Sequence, residues 1–475
     1  MIQMKRHLCI LMILFLFSTI HGIADSKGTR IPYPGGKCFI YRYTLKDKQG
    51  STYRLTHPTR WLSQKAVERR KRQGLALDTT DLPVSPKYIK QFESRQAQVI
   101  GTSRWLNTVL VRSADTTLLN RLSTLPCVEK AKCVWTAPDS IERGPVKTLY
   151  HEHFTHLDST ANEYYGAAKE QIESLRGQRL HDIDLRGQGM TIAVLDGGFQ
   201  NVDRIPCFHN ANIAGWHDFV FPNSPSIFHE TDHGTKVLST MAMNSQQVLV
   251  GTAPEAHYWL LRCEDQQSEQ EVEEDYWTMA AEFADSLGAD IVNSSLGYNE
   301  FDHHHHDHKL QELDGRTAFI SRAASMLAQK GIILVNSAGN SGMGPWKKIN
   351  FPADAVDILS VGAMTHEQKN ASFSSVGPTQ DGRVKPDLLA QGSPAAVISG
   401  RGIVTRDMGT SFSTPIVAGL VACLWQGLRD ATALDIIRLV RESCNNYAQP
   451  DNIYGYGVPN FWRAYMVGKR MRNEK

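Results

Sequence analysis

Four short stretches carry side chains whose types, taken together, could cleave an acyl bond. The segment Gly409-Thr410-Ser411-Phe412-Ser413-Thr414-Pro415 presents a hydroxyl within small residues and runs into the apolar segment 416–425. It reads as a turn followed by a buried helix, with Pro415 in the first helical turn, where a missing N–H costs nothing. A serine at such a helix start has backbone N–H groups and the positive end of the helix dipole beside any negative charge that forms. Alone it would be read as an ordinary helix cap. A nucleophile also needs a base, an acid to orient it and an oxyanion donor. His233, in Asp232-His233-Gly234-Thr235, is the candidate base. Asp196, in Asp196-Gly197-Gly198, is the candidate orienting acid. Asn340, closing Asn336-Ser337-Ala338-Gly339-Asn340, can join the Ser411 N–H as an oxyanion donor. Singly, these are an Asp-Gly turn, one histidine among 18 and a Gly-Asn turn.

Those residues need rigid elements behind them. From about residue 166, apolar strand-like runs (191–195, 257–261, 290–294, 332–335 and 358–361) alternate with helical segments (234–243, 275–287, 317–329 and the helix after Ser411). This alternation predicts an α/β fold: a doubly wound, mostly parallel sheet covered on both faces. Such sheets carry their sites at the carboxyl ends of strands, and Asp196 and Asn340 fall just there. The chain order Asp, His, Ser is neither that of α/β-hydrolases nor that of chymotrypsin-like enzymes, and it is that of subtilisin.

The sequence resembles the subtilisin-like serine proteases, the subtilases. The matching pieces are Ala193-Val194-Leu195-Asp196-Gly197-Gly198, His233-Gly234-Thr235, Asn293-Ser294-Ser295-Leu296-Gly297, Ser337-Ala338-Gly339-Asn340 and the serine segment with its proline; the match spans roughly residues 185–465. The resemblance implies a triad of Asp196, His233 and Ser411, with Asn340 completing the oxyanion hole. It also implies that Ser295-Leu296-Gly297 is an edge on which substrate backbone pairs as an added strand. The implied function is a secreted serine endopeptidase acting on polypeptides through an acyl-enzyme; a catalytically silent, subtilase-shaped binding protein is the alternative. No metal or organic cofactor is expected in the chemistry, and structural calcium is allowed by the resemblance without assignable ligands. Two residues depart from the family: Gly197 replaces the usual Ser or Thr, removing a hydroxyl near Asp196, and Lys236 replaces a frequent second histidine.

The rest of the chain bounds this reading. Lys5-Arg6, the apolar run 8–20 and Gly22-Ile23-Ala24 read as a signal peptide over residues 1–24, so the protein is expected outside the cytoplasm, extracellular or periplasmic. The apolar run is short for a membrane span, and no later one reaches 18 residues. Residues 25–140 read as a small α+β unit, with strands near 37–45, 99–100, 105–111 and 128–134 and helices near 62–74 and 116–125. Residues 141–165 read as a linker and 166–475 as the peptidase domain. Residues 25–150 hold 23 Lys and Arg against 10 Asp and Glu, whereas residues 151–475 hold 26 against 39. Opposite surpluses of 13 charges predict that the two parts dock on each other. With its position in a subtilase, this makes the early unit an intramolecular propeptide inhibitor. Its run Arg69-Arg70-Lys71-Arg72 has no nucleic-acid recognition motif around it, and a monomer is expected. Seven cysteines lie beyond the signal peptide without zinc spacing; Cys423 is expected as a buried thiol and no pairing follows. Residues 269–275 (EQEVEED) could favour basic substrate residues before the cleaved bond or merely suit a helix start. The run Asp302-His303-His304-His305-His306-Asp307-His308 reads as a solvated loop more readily than as a metal site.

Overall fold

The computed structural model describes residues 29–33, 36–143 and 163–473. The expected signal peptide, and residues 144–162 of the expected linker, lie outside these. The early unit is a four-stranded antiparallel sheet with helices on one face. Its elements are β1 (Phe39–Leu45), α1 (Gln64–Arg72), α2 (Pro86–Glu93), β2 (Gln98–Ser103), β3 (Thr108–Ser113), α3 (Thr116–Ser123) and β4 (Val128–Thr136). The strand order is β2-β3-β1-β4. Alternation divides β1: Tyr43 and Leu45 pack with Phe92 of α2 and with Leu119 and Leu122 of α3, whereas Ile40 and Arg42 face the other part of the chain. Helix α2 was not foreseen; its start is a Ser-Pro step in a loop-like stretch. Ser140–Arg143, which runs from the end of the expected early unit into the region expected as linker, pairs antiparallel with Thr29–Pro32.

The later part is built on seven parallel strands. They are β5 (Thr191–Asp196), β6 (Asn212–Asp218), β7 (His257–Arg262), β8 (Ile291–Ser294), β9 (Ile333–Ser337), β10 (Leu359–Thr365) and β11 (Leu388–Ser393), in the order β11-β10-β9-β8-β5-β7-β6. Every pairing is parallel. Between them run α4 (His233–Ala242), α5 (Val272–Leu287), α6 (Phe319–Gln329) and α7 (Thr410–Gly427). Both faces are covered, which is why the central strands are continuously apolar. Ile192 and Val194 of β5 pack into the core that holds α4 and α7; Ala193 and Leu195 pack into the one that holds α5 and α6. The α/β expectation therefore holds. The two strands it lacked are the sheet edges, β6 and β11. Their sequences, NIAGWHD and LLAQGS, mix polar residues and glycine into the run; β6 is exposed or half-buried along most of its length, whereas β11 is buried with its Gln391 bonded to the Pro394 carbonyl.

Registry aligns the carboxyl ends. Asp196 lies beside Arg262 of β7, and Leu195 lies beside Ser294 of β8, itself beside Asn336 of β9. The chain builds β5, β7 and β6 to one side and then crosses to β8, so the order reverses between β5 and β8. Parallel sheets gather ligands at such a reversal. Helix α7 is buried from Thr410 to Trp425, and its thiol Cys423 donates to the Thr252 carbonyl at 3.1 Å. All seven described cysteines are free. Among the described residues, no helix is long and apolar enough to cross a membrane.

The two parts meet face to face. The open side of the four-stranded sheet lies on α5, where Ile40, Leu110, Val134 and Trp135 join Tyr276, Trp277 and Ala280 in one core. Charge is matched around it. Asp285 receives Arg69, Arg70 at 2.8 Å and Arg104 at 2.6 Å. Arg42 donates through Nε to Asp275 at 2.7 Å. Glu282 accepts the backbone N–H groups of Arg104 at 2.9 Å and Trp105 at 3.0 Å. The basic run of α1 is thus a docking element, with Arg69 and Arg70 buried. Burial opposes ionisation of Asp285, but three guanidinium groups outweigh it and hold the carboxyl well below the usual range.

Candidate active site

Each expected residue stands at the end of an element the sheet positions. Asp196 closes β5, fully buried, with its Oδ1 accepting the Gly197 N–H at 2.8 Å. His233 opens α4, and its Nδ1 lies 2.9 Å from Asp196 Oδ1 and 3.0 Å from Oδ2. That contact requires α4 to start hard against β5. A β-carbon on Gly234 would fall 2.3 Å from the Gly198 carbonyl oxygen, so glycine there is a steric necessity. Burial disfavours the His233 imidazolium, yet the facing Asp196 carboxylate, by charge and hydrogen bond, lifts its pKa to about 9.

Ser411 lies in the first turn of α7. Its hydroxyl donates to the Ser295 carbonyl at 3.2 Å, and the Ser295 hydroxyl donates back to the Ser411 carbonyl at 2.9 Å. Among the described residues Ser411 and His233 share no hydrogen bond, although both line one cleft of about 580 Å³. The serine is turned toward the 295–297 edge, and a χ1 change between staggered wells is what would redirect it to the imidazole. Helix α7 begins at Thr410, earlier than expected, so Pro415 falls in the second turn. Its absent N–H leaves the Ser411 carbonyl without a helical donor, and Ser295 supplies one.

Asn340 is exposed on the same cleft. Its Oδ1 accepts both the Thr410 N–H and the Thr410 hydroxyl, each at 3.0 Å, which frees the Nδ2 donor for the cleft. In the 295–297 segment the Leu296 carbonyl is turned inward, accepting from Asn336 Nδ2 at 3.3 Å and Ser337 Oγ at 3.2 Å. The Ser295 carbonyl faces Ser411 instead, and Ser295, Leu296 and Gly297 all line the cleft.

The two departures have local reasons. A β-carbon on Gly197 would lie 2.6 Å from Glu264 Oε2 and 2.8 Å from Gln266 Nε2, so those side chains take the space of the missing hydroxyl. Lys236 pairs with Asp232 at 3.3 Å and Asp407 at 3.1 Å. Glu264 was not singled out in the sequence, yet it lines the cleft. Burial, then the nearby Asp196 charge, raise it to about 7. Most of residues 269–275 serve elsewhere. Asp275 takes Arg42, Glu274 takes His308 at 2.7 Å, and Glu271 takes Lys132 and His306. The histidine run is likewise only half a solvated loop. His304 is exposed, whereas His308 is buried between Glu274 and Glu312; burial opposes its charge, and Glu274 outweighs that and raises it to about 9.

An acid-paired histidine, a hydroxyl at a helix start and an amide donor around one cleft define a serine hydrolase site. Residues 187–457 match the Subtilase family, and residues 40–148 match the Peptidase S8 propeptide domain of Bacteroidota. M-protease of Shouchella clausii is 27% identical over 351 residues, which cover 72% of this chain and 80% of that protein. Subtilisin Savinase of Lederbergia lenta is 28% identical over 294 residues, covering 61% and 95%. Subtilisin E of Bacillus subtilis is 26% identical over 340 residues, covering 70% and 81%. The chain belongs to the subtilase family: it is a subtilisin-like serine endopeptidase that carries a propeptide domain.

Proposed function

We propose that this is an exported endopeptidase made as a zymogen, with Asp196, His233 and Ser411 as its triad. The observation that carries this is the His233 Nδ1 held by both oxygens of Asp196 in the cleft that Ser411 and Asn340 also line. Ser411 Oγ turns from the Ser295 carbonyl to His233 Nε2, which takes its proton as the oxygen attacks a peptide carbonyl. Asp196 keeps the imidazole in the tautomer with its proton on Nδ1 and stabilises the imidazolium. The Asn340 amide and the Ser411 N–H receive the oxyanion, and His233 returns its proton to the leaving amine. Water then repeats the sequence on the acyl-enzyme. The Ser295 and Gly297 carbonyls pair with the substrate backbone. No step calls for a metal or organic cofactor.

Substrates are polypeptides, and the early unit is the intramolecular inhibitor; its matched salt bridges on α5 support that role. Export rests on the amino-terminal sequence. Comparing wild type with Ser411→Ala tests the reading: kcat on a peptide substrate should fall by about a millionfold, and self-processing and phosphonylation should both vanish. A wild type that is neither processed nor phosphonylated would indicate the silent binding protein instead.

A further inference from the structure

Beside the cleft, three carboxylates converge without a cation. Glu264 follows β7, Glu269 lies in the loop after it, and Glu273 sits in the first turn of α5. One oxygen from each lies within 4.8 Å of the others. Among the described residues, none of the three forms a salt bridge with a Lys, Arg or His. The neighbouring guanidinium, Arg262, is spent on the Gly197 carbonyl at 3.1 Å, Asp218 at 3.0 Å and Glu230 at 3.5 Å. Glu264 accepts only from Gln266 at 3.1 Å. Glu273 accepts the Asp265 N–H through Oε1 at 3.0 Å, while its Oε2 is buried with no hydrogen-bond partner.

A second, separate residue is buried in the field of the same carboxylates. Tyr298, 1% exposed, has a hydroxyl with no partner. The ionisable groups that act on it are Glu273, Glu264, Cys263 and Glu269. Buried polar atoms are nearly always paired, and orphans of this kind mark a missing partner. Here three convergent carboxylates, one with an unpartnered oxygen, neighbour a buried phenol oxygen that also lacks a partner.

We propose that Glu264, Glu269, Glu273 and Tyr298 form a calcium site on the wall of the cleft. All four are hard oxygen ligands, which suit Ca²⁺ and not zinc. Calcium binds oxygen at about 2.3–2.6 Å, so oxygens that lie within 4.8 Å of one another can all reach a single ion. Glu264 and Glu269 are only partly buried, which leaves an entry path and room for coordinating water. Bound calcium would also order the loop between its ligands. That loop holds the end of the early unit: the Trp135 indole donates to Ser268 at 3.3 Å, and Thr136 and Gln270 exchange hydrogen bonds at 2.9 and 3.0 Å.

The test uses the full chain as Ser411→Ala, stripped with EDTA and titrated with calcium chloride alone by calorimetry, with melting followed in parallel. It therefore reads binding whether or not the triad assignment stands. Glu269→Gln and Glu273→Gln should each lose one bound Ca²⁺ per chain, or weaken it at least tenfold, and most of the calcium-dependent rise in Tm. Tyr298→Phe should weaken binding less. In EDTA both Gln variants should melt at or above the parent, because each removes a carboxyl that faces other carboxyls without a counter-charge; a purely structural glutamate would melt lower in both conditions. Unchanged stoichiometry and an unchanged calcium-dependent rise in both Gln variants would overturn the site. So would a result in which, with Ser411 restored, the variants lose only a preference for Lys or Arg before the cleaved bond. The cation would then be the substrate's own side chain.

Discussion

The docking face on α5 and the cleft wall beside β7 are both rich in buried acid, and they treat it in opposite ways. On the docking face of α5 the acids have counterparts: Asp285 has three arginines, Asp275 has Arg42 and Glu282 has two backbone amides. Along the cleft wall Glu264, Glu269 and Glu273 have a side-chain amide and a single backbone N–H among them. The energetics of burial explain the contrast. A desolvated carboxylate costs several kcal/mol unless paired in good geometry. A surface whose acids are satisfied from within its own chain is complete. One whose acids face each other is complementary to something that carries positive charge.

The largest expected effect tests the matched side. Asp285→Ala leaves Arg69, Arg70 and Arg104 buried without a counter-charge, and unfolding of the full chain in urea should show a loss of about 3–5 kcal/mol. A loss under about 1 kcal/mol would mean the arginines find water, and the distinction between the two regions would collapse. Next comes the cleft itself. Asn340→Leu should lower kcat about 100- to 1000-fold with little change in KM, as read from peptide hydrolysis, because the donor acts only on the charge that develops in the transition state.

The pH profiles of the two regions should separate as well. His233 must be neutral to act as a base, and its pKa is raised to about 9. kcat/KM should therefore climb about tenfold per pH unit below that value and level off above it. The groups facing His233 are Asp196, Glu264 and Lys236. On α5 the pKa shift has the opposite direction, so the profile again falls toward acid but in a lower pH range. Asp285 is held below its usual range, so its contribution to docking is present above the ordinary aspartate pKa of about 4 and is lost as pH falls through and below it. Urea midpoints between pH 3 and 7 measure this. The smallest effect is expected for Gly197→Ser: the new β-carbon crowds the flexible ends of Glu264 and Gln266 and makes ordinary contact with Thr231, so kcat/KM should change less than about tenfold while calcium affinity falls.

Much of the site was legible in the sequence because its residues end buried parallel strands or begin helices, where local pattern and chemistry coincide. Asp196 follows four apolar residues, and Ser411 lies in the first turn of a helix that is buried nearly throughout. What stayed hidden depends on contacts distant in sequence. Glu264 looks like any polar residue after a strand, and only the fold lays it over Gly197. The acids of residues 269–275 appear as one block, yet α5 sends them to three destinations with helical spacing: Glu271 and Glu274 to the histidine run, Asp275 to Arg42, and Glu273 inward. Pro415 was placed in the first turn because its preference for that position is strong. The helix instead opens earlier, at Thr410.

That proline changes how the nucleophile is mounted. By leaving the Ser411 carbonyl without a helical donor, it allows Ser295 to fasten the backbone of Ser411 directly to the strand edge beside it. The tool and the rail on which the work is laid are then bolted together. On the proposed mechanism, a shift of the helix is thereby passed to the edge that would align the peptide, so serine and edge are coupled through one hydrogen bond.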